Sequence, residues 1–156
     1  MRKIAVLILL CIGVSINMYS NDKLENENVQ NPMLEQTCSN EFNWDKVIQA
    51  IIHVESRGNA HAVNKSGTCV GVLQIKKILV DDCNQYLKMK KSNKRFSYKD
   101  RYSREKSIEM FKLIQERYNK ENNIELGIKL WASGLKHNNK QADRYYKKIL
   151  RLMESF

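Results

Sequence analysis

The chain has 156 residues, which is enough for one domain with a hydrophobic core. Its 27 lysine and arginine residues outnumber its 17 aspartate and glutamate residues, and the formal net charge is +10. Such a surface suits an anionic polymer, whether nucleic acid, anionic lipid or cell wall, but the charge alone does not select among them. No cysteine and histidine spacing resembles a metal site, so neither a metal nor another cofactor is expected.

The first 20 residues predict a secretory signal peptide. Arg2 and Lys3 form its positively charged start, and residues 4–16 form an apolar stretch that is short for a membrane span. We therefore expect a secreted or periplasmic protein with no stable membrane span after the signal is removed. A retained N-terminal anchor is the alternative. Residues 21–42 are polar and rich in asparagine, which predicts a linker or N-terminal arm.

Removal of the signal would leave three cysteines, Cys38, Cys69 and Cys83. An odd number cannot pair entirely within one chain. Cys69 and Cys83 could form a disulfide in an oxidising compartment. They could equally be two buried thiols, since Cys83 lies on the apolar side of a predicted helix, and the residue pattern favours this second interpretation.

The apolar pattern becomes helical at Trp44, where Asn43 can cap the first turn. Gly58 is suited to end this helix. Between these limits, residues at spacings of three and four share one face of the helix: Val47, Ile48, Ile51, Ile52 and Glu55.

An irregular segment and four further helices are predicted after the first helix. Residues 59–75 carry two glycines and a short apolar run, which is typical of a loop or a brief β-like excursion. Residues 88–95 are predicted to be a loop. The helices are expected at residues 77–87, 103–120, 124–131 and 141–153. Together these elements predict a mainly α domain over residues 43–156, with the irregular segment lining a cleft.

Glu55 is the unusual member of the apolar face. A carboxylate placed there loses part of its hydration, which raises its pKa, and the negative end of the helix dipole acts in the same direction. A protonated carboxyl in a cleft can serve as a general acid. The alternative is a structural glutamate held by Arg57 or by a tyrosine, and the spacing alone does not decide between them.

Residues 55–75, ESRGNAHAVNKSGTCVGVLQI, resemble the core of the soluble lytic transglycosylases and the related goose-type lysozymes. The shared elements are the Glu-Ser pair at 55–56, the Ala-Val pair at 62–63 and the segment GVLQI at 71–75. Further along, WASG at 131–134 is similar to the family's Tyr-Asn-x-Gly, and ADRY at 142–145 to its Thr-x-x-Tyr. The order and rough distances agree from about residue 44 to residue 152.

The resemblance implies a lysozyme-like helical domain whose partner is the peptidoglycan glycan strand, with no nucleic acid partner and a monomeric state. It implies that Glu55 is the catalytic acid and then the base. It also implies that one set of side chains supports Glu55 or binds the sugar: Ser56, Asn64, Gln74, Trp131 and Tyr145. The departures from the family pattern include Ala132 for asparagine, Cys69 for alanine and Asn64 for serine.

A single catalytic carboxyl fits the lytic route. Most glycosidases need two carboxylates across the scissile bond, but the motif supplies only Glu55, and Asp81 and Asp82 are expected on a helix surface. The resemblance implies instead that the N-acetyl group of the substrate supports the developing cation. The bond cleaved would be the β-1,4 bond from N-acetylmuramic acid to N-acetylglucosamine, and the product a 1,6-anhydro end.

Two alternatives use the same fold. A hydrolytic lysozyme-type muramidase would need a positioned water and a base. A catalytically weak peptidoglycan-binding module is favoured by Ala132, because an amide contact to the sugar is missing there. A helical nucleic-acid-binding domain has the required charge, but the sequence contains no recognition motif for it.

Overall fold

The computed structural model describes residues 44–155. This part of the chain contains five α-helices and one 3-10 helix. The α-helices are α1 (Trp44–Ser56), α2 (Lys77–Met89), α3 (Arg104–Tyr118), α4 (Ile124–Ser133) and α5 (Lys140–Met153), and the 3-10 helix, Tyr98–Tyr102, lies between α2 and α3. The predicted signal peptide, the linker, the cap at Asn43 and Cys38 lie outside the described residues.

All five predicted α-helices are confirmed, with ends that differ by at most two residues. The predicted loop at 88–95 is partly wrong, because Lys88 and Met89 belong to α2. The 3-10 helix was not predicted. Five residues are too few to show a helical period, and the turn is instead fixed locally by Asp100, whose carboxylate accepts from the Ser97 backbone N–H at 2.7 Å.

The core surrounds α1, whose apolar face is fully covered. α5 packs against both α1 and α4, while α2 packs against α3. Residues from every α-helix and from the irregular segment share one cluster, in which the largest fully buried side chains include Ile48, Ile51, Leu73, Val80, Phe111, Ile128 and Ile149. Because α1 lies in this cluster, the position of its last turn is set from several sides.

The irregular segment is a β-like loop, as predicted. Isolated bridges join Val63 to Val70 and Val70 to Ile75. Gly71 has a φ of +78°, and a Cβ placed there would lie 1.8 Å from the carbonyl oxygen of Arg101. The loop is therefore packed backbone to backbone against the 3-10 helix, which only glycine allows at this position.

The two described cysteines are both free thiols. Cys83 is fully buried and its Sγ lies 3.6 Å from the carbonyl oxygen of Met110. Burial raises the pKa of this thiol to about 12, so it stays protonated and unreactive. Cys69 is only half-buried, and its backbone N–H donates to the side chain of Asn64 at 3.0 Å.

Candidate active site

Glu55 lies in the last turn of α1, between two different kinds of structure. On one side, the hydroxyl of Tyr145 on α5 donates a hydrogen bond to Oε1 of Glu55 at 2.6 Å. On the other side, the hydroxyl of the adjacent Ser56 donates to the carbonyl oxygen of Val72 at 2.8 Å. We call residues 57–76 the loop wall and α4 with α5 the helical wall. Glu55 thus lies where the two walls meet α1.

The environment of Glu55 keeps its proton bound to a higher pH than in an ordinary glutamate. Burial raises its pKa, and the hydrogen bond from Tyr145 and the charge of Lys148 only partly oppose this effect. Tyr145 has a pKa raised by burial and by the nearby Glu55, so it keeps its hydroxyl proton and acts as the donor. A carboxyl that is protonated yet supported once ionised can both give and take a proton.

Gln74 is held in a strained backbone conformation with its side chain fixed. Its φ is +49°, which is uncommon for a residue other than glycine. Its amide nitrogen donates to the carbonyl oxygens of Gly71 at 3.0 Å and Ala62 at 3.2 Å. The opposite end of the amide, Oε1, has no donor among the described residues. Gln74 therefore presents a hydrogen-bond acceptor that a ligand can use.

Asn64 is used within the loop wall. Its Oδ1 accepts from the backbone N–H groups of Thr68 at 2.9 Å and Cys69 at 3.0 Å. These bonds close the turn that contains Gly67, which is a common use of an asparagine side chain. The structure thus gives Asn64 a role in loop geometry, while its contact with a sugar stays a prediction.

Trp131 lies on the helical wall and packs against the core. Its ring centroid is 4.9 Å from that of Phe111, and the indole is half-buried. The neighbouring Ala132 is also half-buried. Within this wall, Lys129 on α4 pairs with Asp143 on α5 at 2.6 Å. The helical wall is therefore held by packing and one interhelical ion pair, and its sugar contacts stay predictions.

Two residues near the site were not identified from the sequence. Lys148 lies three positions after Tyr145 on α5, so helical periodicity could have placed it on the side of Glu55. Arg101 is buried and its guanidinium donates to backbone carbonyls of both the loop wall and the 3-10 helix, Ile75 at 3.0 Å and Tyr98 at 2.9 Å. No periodic pattern marks Arg101, because it belongs to the unpredicted 3-10 helix.

Within residues 44–155, no group of three or more His, Cys, Asp or Glu side chains is arranged to hold a metal ion. Among the same residues, no helix is both long and apolar enough to cross a membrane.

The family model described as Transglycosylase SLT domain matches residues 32–151, which is more than half of the chain. The match includes the loop wall, α4, α5 as far as Arg151, and all the candidate site residues. No curated protein and no solved structure gave a significant match to the chain. The resemblance found in the sequence and the mainly α, lysozyme-like helical fold are confirmed by this match and by the observed helices.

Proposed function

Because the chain belongs to the transglycosylase SLT domain family, we propose that it cleaves the β-1,4 bond between N-acetylmuramic acid and N-acetylglucosamine with Glu55 as the single catalytic carboxyl. Family membership itself implies a lytic transglycosylase that acts on peptidoglycan, in the periplasm or outside the cell. The bond, the catalytic residue and the anhydro product are the parts that we propose.

The reaction begins with Glu55 in its protonated form. Glu55 donates this proton to the glycosidic oxygen, the bond from that oxygen to C1 of the muramoyl sugar breaks, and the substrate's N-acetyl oxygen supports the cation at C1. The resulting carboxylate then removes the proton from the C6 hydroxyl of the same sugar. The C6 oxygen bonds to C1, which yields the 1,6-anhydro end and returns Glu55 to its protonated state without water.

The contact between Glu55 and Tyr145 carries this proposal. Burial favours the protonated carboxyl that the first step needs. The 2.6 Å hydrogen bond from Tyr145 stabilises the carboxylate that the first step creates. Of the structural partners that the sequence left open, Arg57 makes no salt bridge with Glu55 within the described residues, and the contact observed is with a tyrosine. What favours an acid over a structural glutamate is that this contact is combined with burial that keeps the carboxyl protonated.

The other acidic residues support a one-carboxyl reaction, because most of them are engaged elsewhere. Asp82 accepts from Arg117 at 2.9 Å and from the Tyr118 hydroxyl at 3.0 Å. The remaining pairs are Asp81 with Tyr98, Asp100 with Ser97, Glu105 with Ser103, Glu109 with Lys94 and Lys106, Glu116 with Lys90, and Glu125 and Asp143 with Lys129. These partners account for the carboxylates without assigning any of them a catalytic role.

The test is the release of muropeptides from purified peptidoglycan by Glu55→Gln. The amide keeps the shape and can still contact Tyr145, but it cannot donate a proton as an acid. We expect a fall in rate of about 10²- to 10⁴-fold. Glu116→Gln is the matched control, because Glu116 is an exposed glutamate paired with Lys90, and it should keep the wild-type rate.

A folded Glu55→Gln protein with wild-type activity would contradict the assignment of Glu55. A wild-type protein that binds peptidoglycan but releases no muropeptide would instead identify a binding module, the outcome that Ala132 favours.

A further inference from the structure

Two exposed rings meet beside the loop wall. The rings of His61 and Tyr102 stack with centroids 6.3 Å apart and an angle of 29° between their planes. Tyr102 keeps 38% of its surface exposed, and His61 is also exposed. The hydroxyl of Tyr102 has no partner among the described residues. Apolar side chains exposed singly are common on protein surfaces, so what sets this place apart is that two exposed rings stack on each other.

This ring pair adjoins the two backbone groups that hold Gln74. His61 directly precedes Ala62, whose carbonyl oxygen accepts from the Gln74 amide at 3.2 Å. Tyr102 lies against Gly71, the other acceptor, because its Cα would be 3.6 Å from a Cβ placed on that glycine. The backbone that carries the two rings therefore lies next to both carbonyl groups that hold the Gln74 amide.

The backbone that carries the two rings is also held in place by hydrogen bonds. The backbone N–H of His61 donates to the side chain of Asn59 at 2.8 Å. Arg101, next to Tyr102, is buried and donates to the carbonyl oxygens of Ile75 and Tyr98. These contacts fix the backbone beside both rings, so ordering the rings on a ligand costs less conformational entropy than it would on a flexible loop.

Tyr98, an exposed tyrosine of the same 3-10 helix, provides a comparison, because both its hydroxyl and its ring make contacts. Its hydroxyl donates to Asp81 at 2.9 Å, and the ammonium group of Lys77 lies 5.3 Å from its ring centroid. Tyr102 has neither contact. The difference singles out Tyr102 and His61 as the pair with an open ring face and an unused hydroxyl.

We propose that His61 and Tyr102 form an outer saccharide subsite, a platform on which a sugar of the glycan strand stacks beyond those bound at Glu55. A pyranose ring presents a face of C–H groups that packs on an aromatic plane, and its hydroxyls can pair with the Tyr102 hydroxyl. The subsite rests on the proposed function, because it assumes that the strand lies along the loop wall. It would make affinity depend on strand length.

The test measures the affinity of the full chain for chitotriose and chitohexaose by titration calorimetry. Every protein carries Glu55→Gln so that no glycan is consumed. With Tyr102→Ala or His61→Ala added, we expect a loss of about threefold to tenfold in affinity for chitohexaose, because one stacking contact is lost. The affinity of the same variants for chitotriose should stay within about twofold of that of the Glu55→Gln parent, because the short ligand does not reach the platform.

Tyr98→Ala is the matched control and should keep the affinity for both oligosaccharides. Tyr102→Trp should restore binding of the longer ligand, which excludes a loss caused by unfolding. Equal affinities of Tyr102→Ala and its parent for chitohexaose would overturn the subsite, and so would an equal loss for both ligands. Failure of the proposed function shows separately, as muropeptide release that does not depend on Glu55.

Discussion

The two walls beside Glu55 are built by different forces. The backbone of the loop wall is held by hydrogen bonds from side chains. Its carbonyl oxygens accept from Ser56 at Val72, from Gln74 at Gly71 and from Arg101 at Ile75. In the helical wall, side chains hold side chains, through core packing and the pair of Lys129 with Asp143. A hydrogen bond from a side chain to the backbone requires a particular residue type at a particular position. Core packing, in contrast, accepts many combinations of apolar side chains of similar size.

Three departures from the family pattern can be compared with this difference. Ala132 lies on the helical wall, where no observed contact requires an amide. Cys69 lies in the loop wall, but its hydrogen bonds with Asn64 there use its backbone N–H and carbonyl, which any residue other than proline supplies. Asn64 replaces serine with a side chain whose oxygen closes the same turn twice. At Ala132 and Cys69 these contacts do not require a particular side chain, whereas at Asn64 the side chain closes the turn.

The largest effect is expected at Gly71, where the loop wall meets the 3-10 helix. Gly71→Ala combines backbone strain at a φ of +78° with a Cβ 1.8 Å from a carbonyl oxygen. We expect the free energy of unfolding to fall by about 2–5 kcal/mol. Gly67→Ala isolates the strain, because its φ is +72° but nothing lies within 4 Å of the added Cβ.

Chemical denaturation of Gly71→Ala and Gly67→Ala measures how far the free energy of unfolding falls in each variant. Gly67→Ala should lose only about 1–2 kcal/mol. Equal losses in the two variants would mean that the loop wall can move away from the 3-10 helix, and that its geometry is not imposed by backbone contact.

The next effect concerns the bond that joins the helical wall to Glu55. Tyr145→Phe removes a hydrogen bond that lowers the pKa of Glu55, so this pKa should rise further. The reaction needs the protonated acid, and the alkaline limb of the pH–rate profile should therefore move to higher pH. Tyr146→Phe, the adjacent half-buried tyrosine, should leave the limb in place. A limb that moves to lower pH would contradict the role of Tyr145.

A smaller effect is expected on stability, measured by unfolding of Glu55→Gln at several pH values. The pKa of Glu55 is raised in the folded state, so the folded protein retains a proton that the unfolded chain loses. Stability of the wild type therefore falls as the pH rises from about 4, the ordinary range of glutamate, to the raised pKa. Glu55→Gln removes this loss, and its advantage over wild type should grow over that interval. A difference independent of pH would show that Glu55 titrates normally.

The smallest effect is expected at Ala132 on the helical wall. If this position faces the sugar as the resemblance implies, Ala132→Asn restores one hydrogen bond to an N-acetyl group. The gain of about 0.5–1.5 kcal/mol would raise the rate of muropeptide release by roughly twofold to tenfold. Slower release by a variant of unchanged stability would show that the helical wall has been rebuilt around alanine.

The sequence was sufficient for the elements with a long apolar period and for the half-buried position of Glu55 in the last turn of α1, while its catalytic role stays a proposal. α1 and α5 were predicted almost to the residue, and Tyr145 came from the resemblance rather than from its spacing. Arg101 and the ring pair of His61 and Tyr102 could not be predicted. Their positions depend on a 3-10 turn and on contacts between residues 26 and 41 positions apart (Ile75 to Arg101 and His61 to Tyr102), which leave no local pattern in the sequence.

The central claim is that Glu55 serves as both acid and base and that water takes no part in the reaction. Digestion of purified peptidoglycan in heavy-oxygen water, followed by mass spectrometry of the muropeptides, tests this directly. We predict products lighter by one water than hydrolytic products, ending in 1,6-anhydro sugars and carrying no heavy oxygen, with none released by Glu55→Gln. Reducing ends that carry heavy oxygen would contradict the account and identify a hydrolytic muramidase.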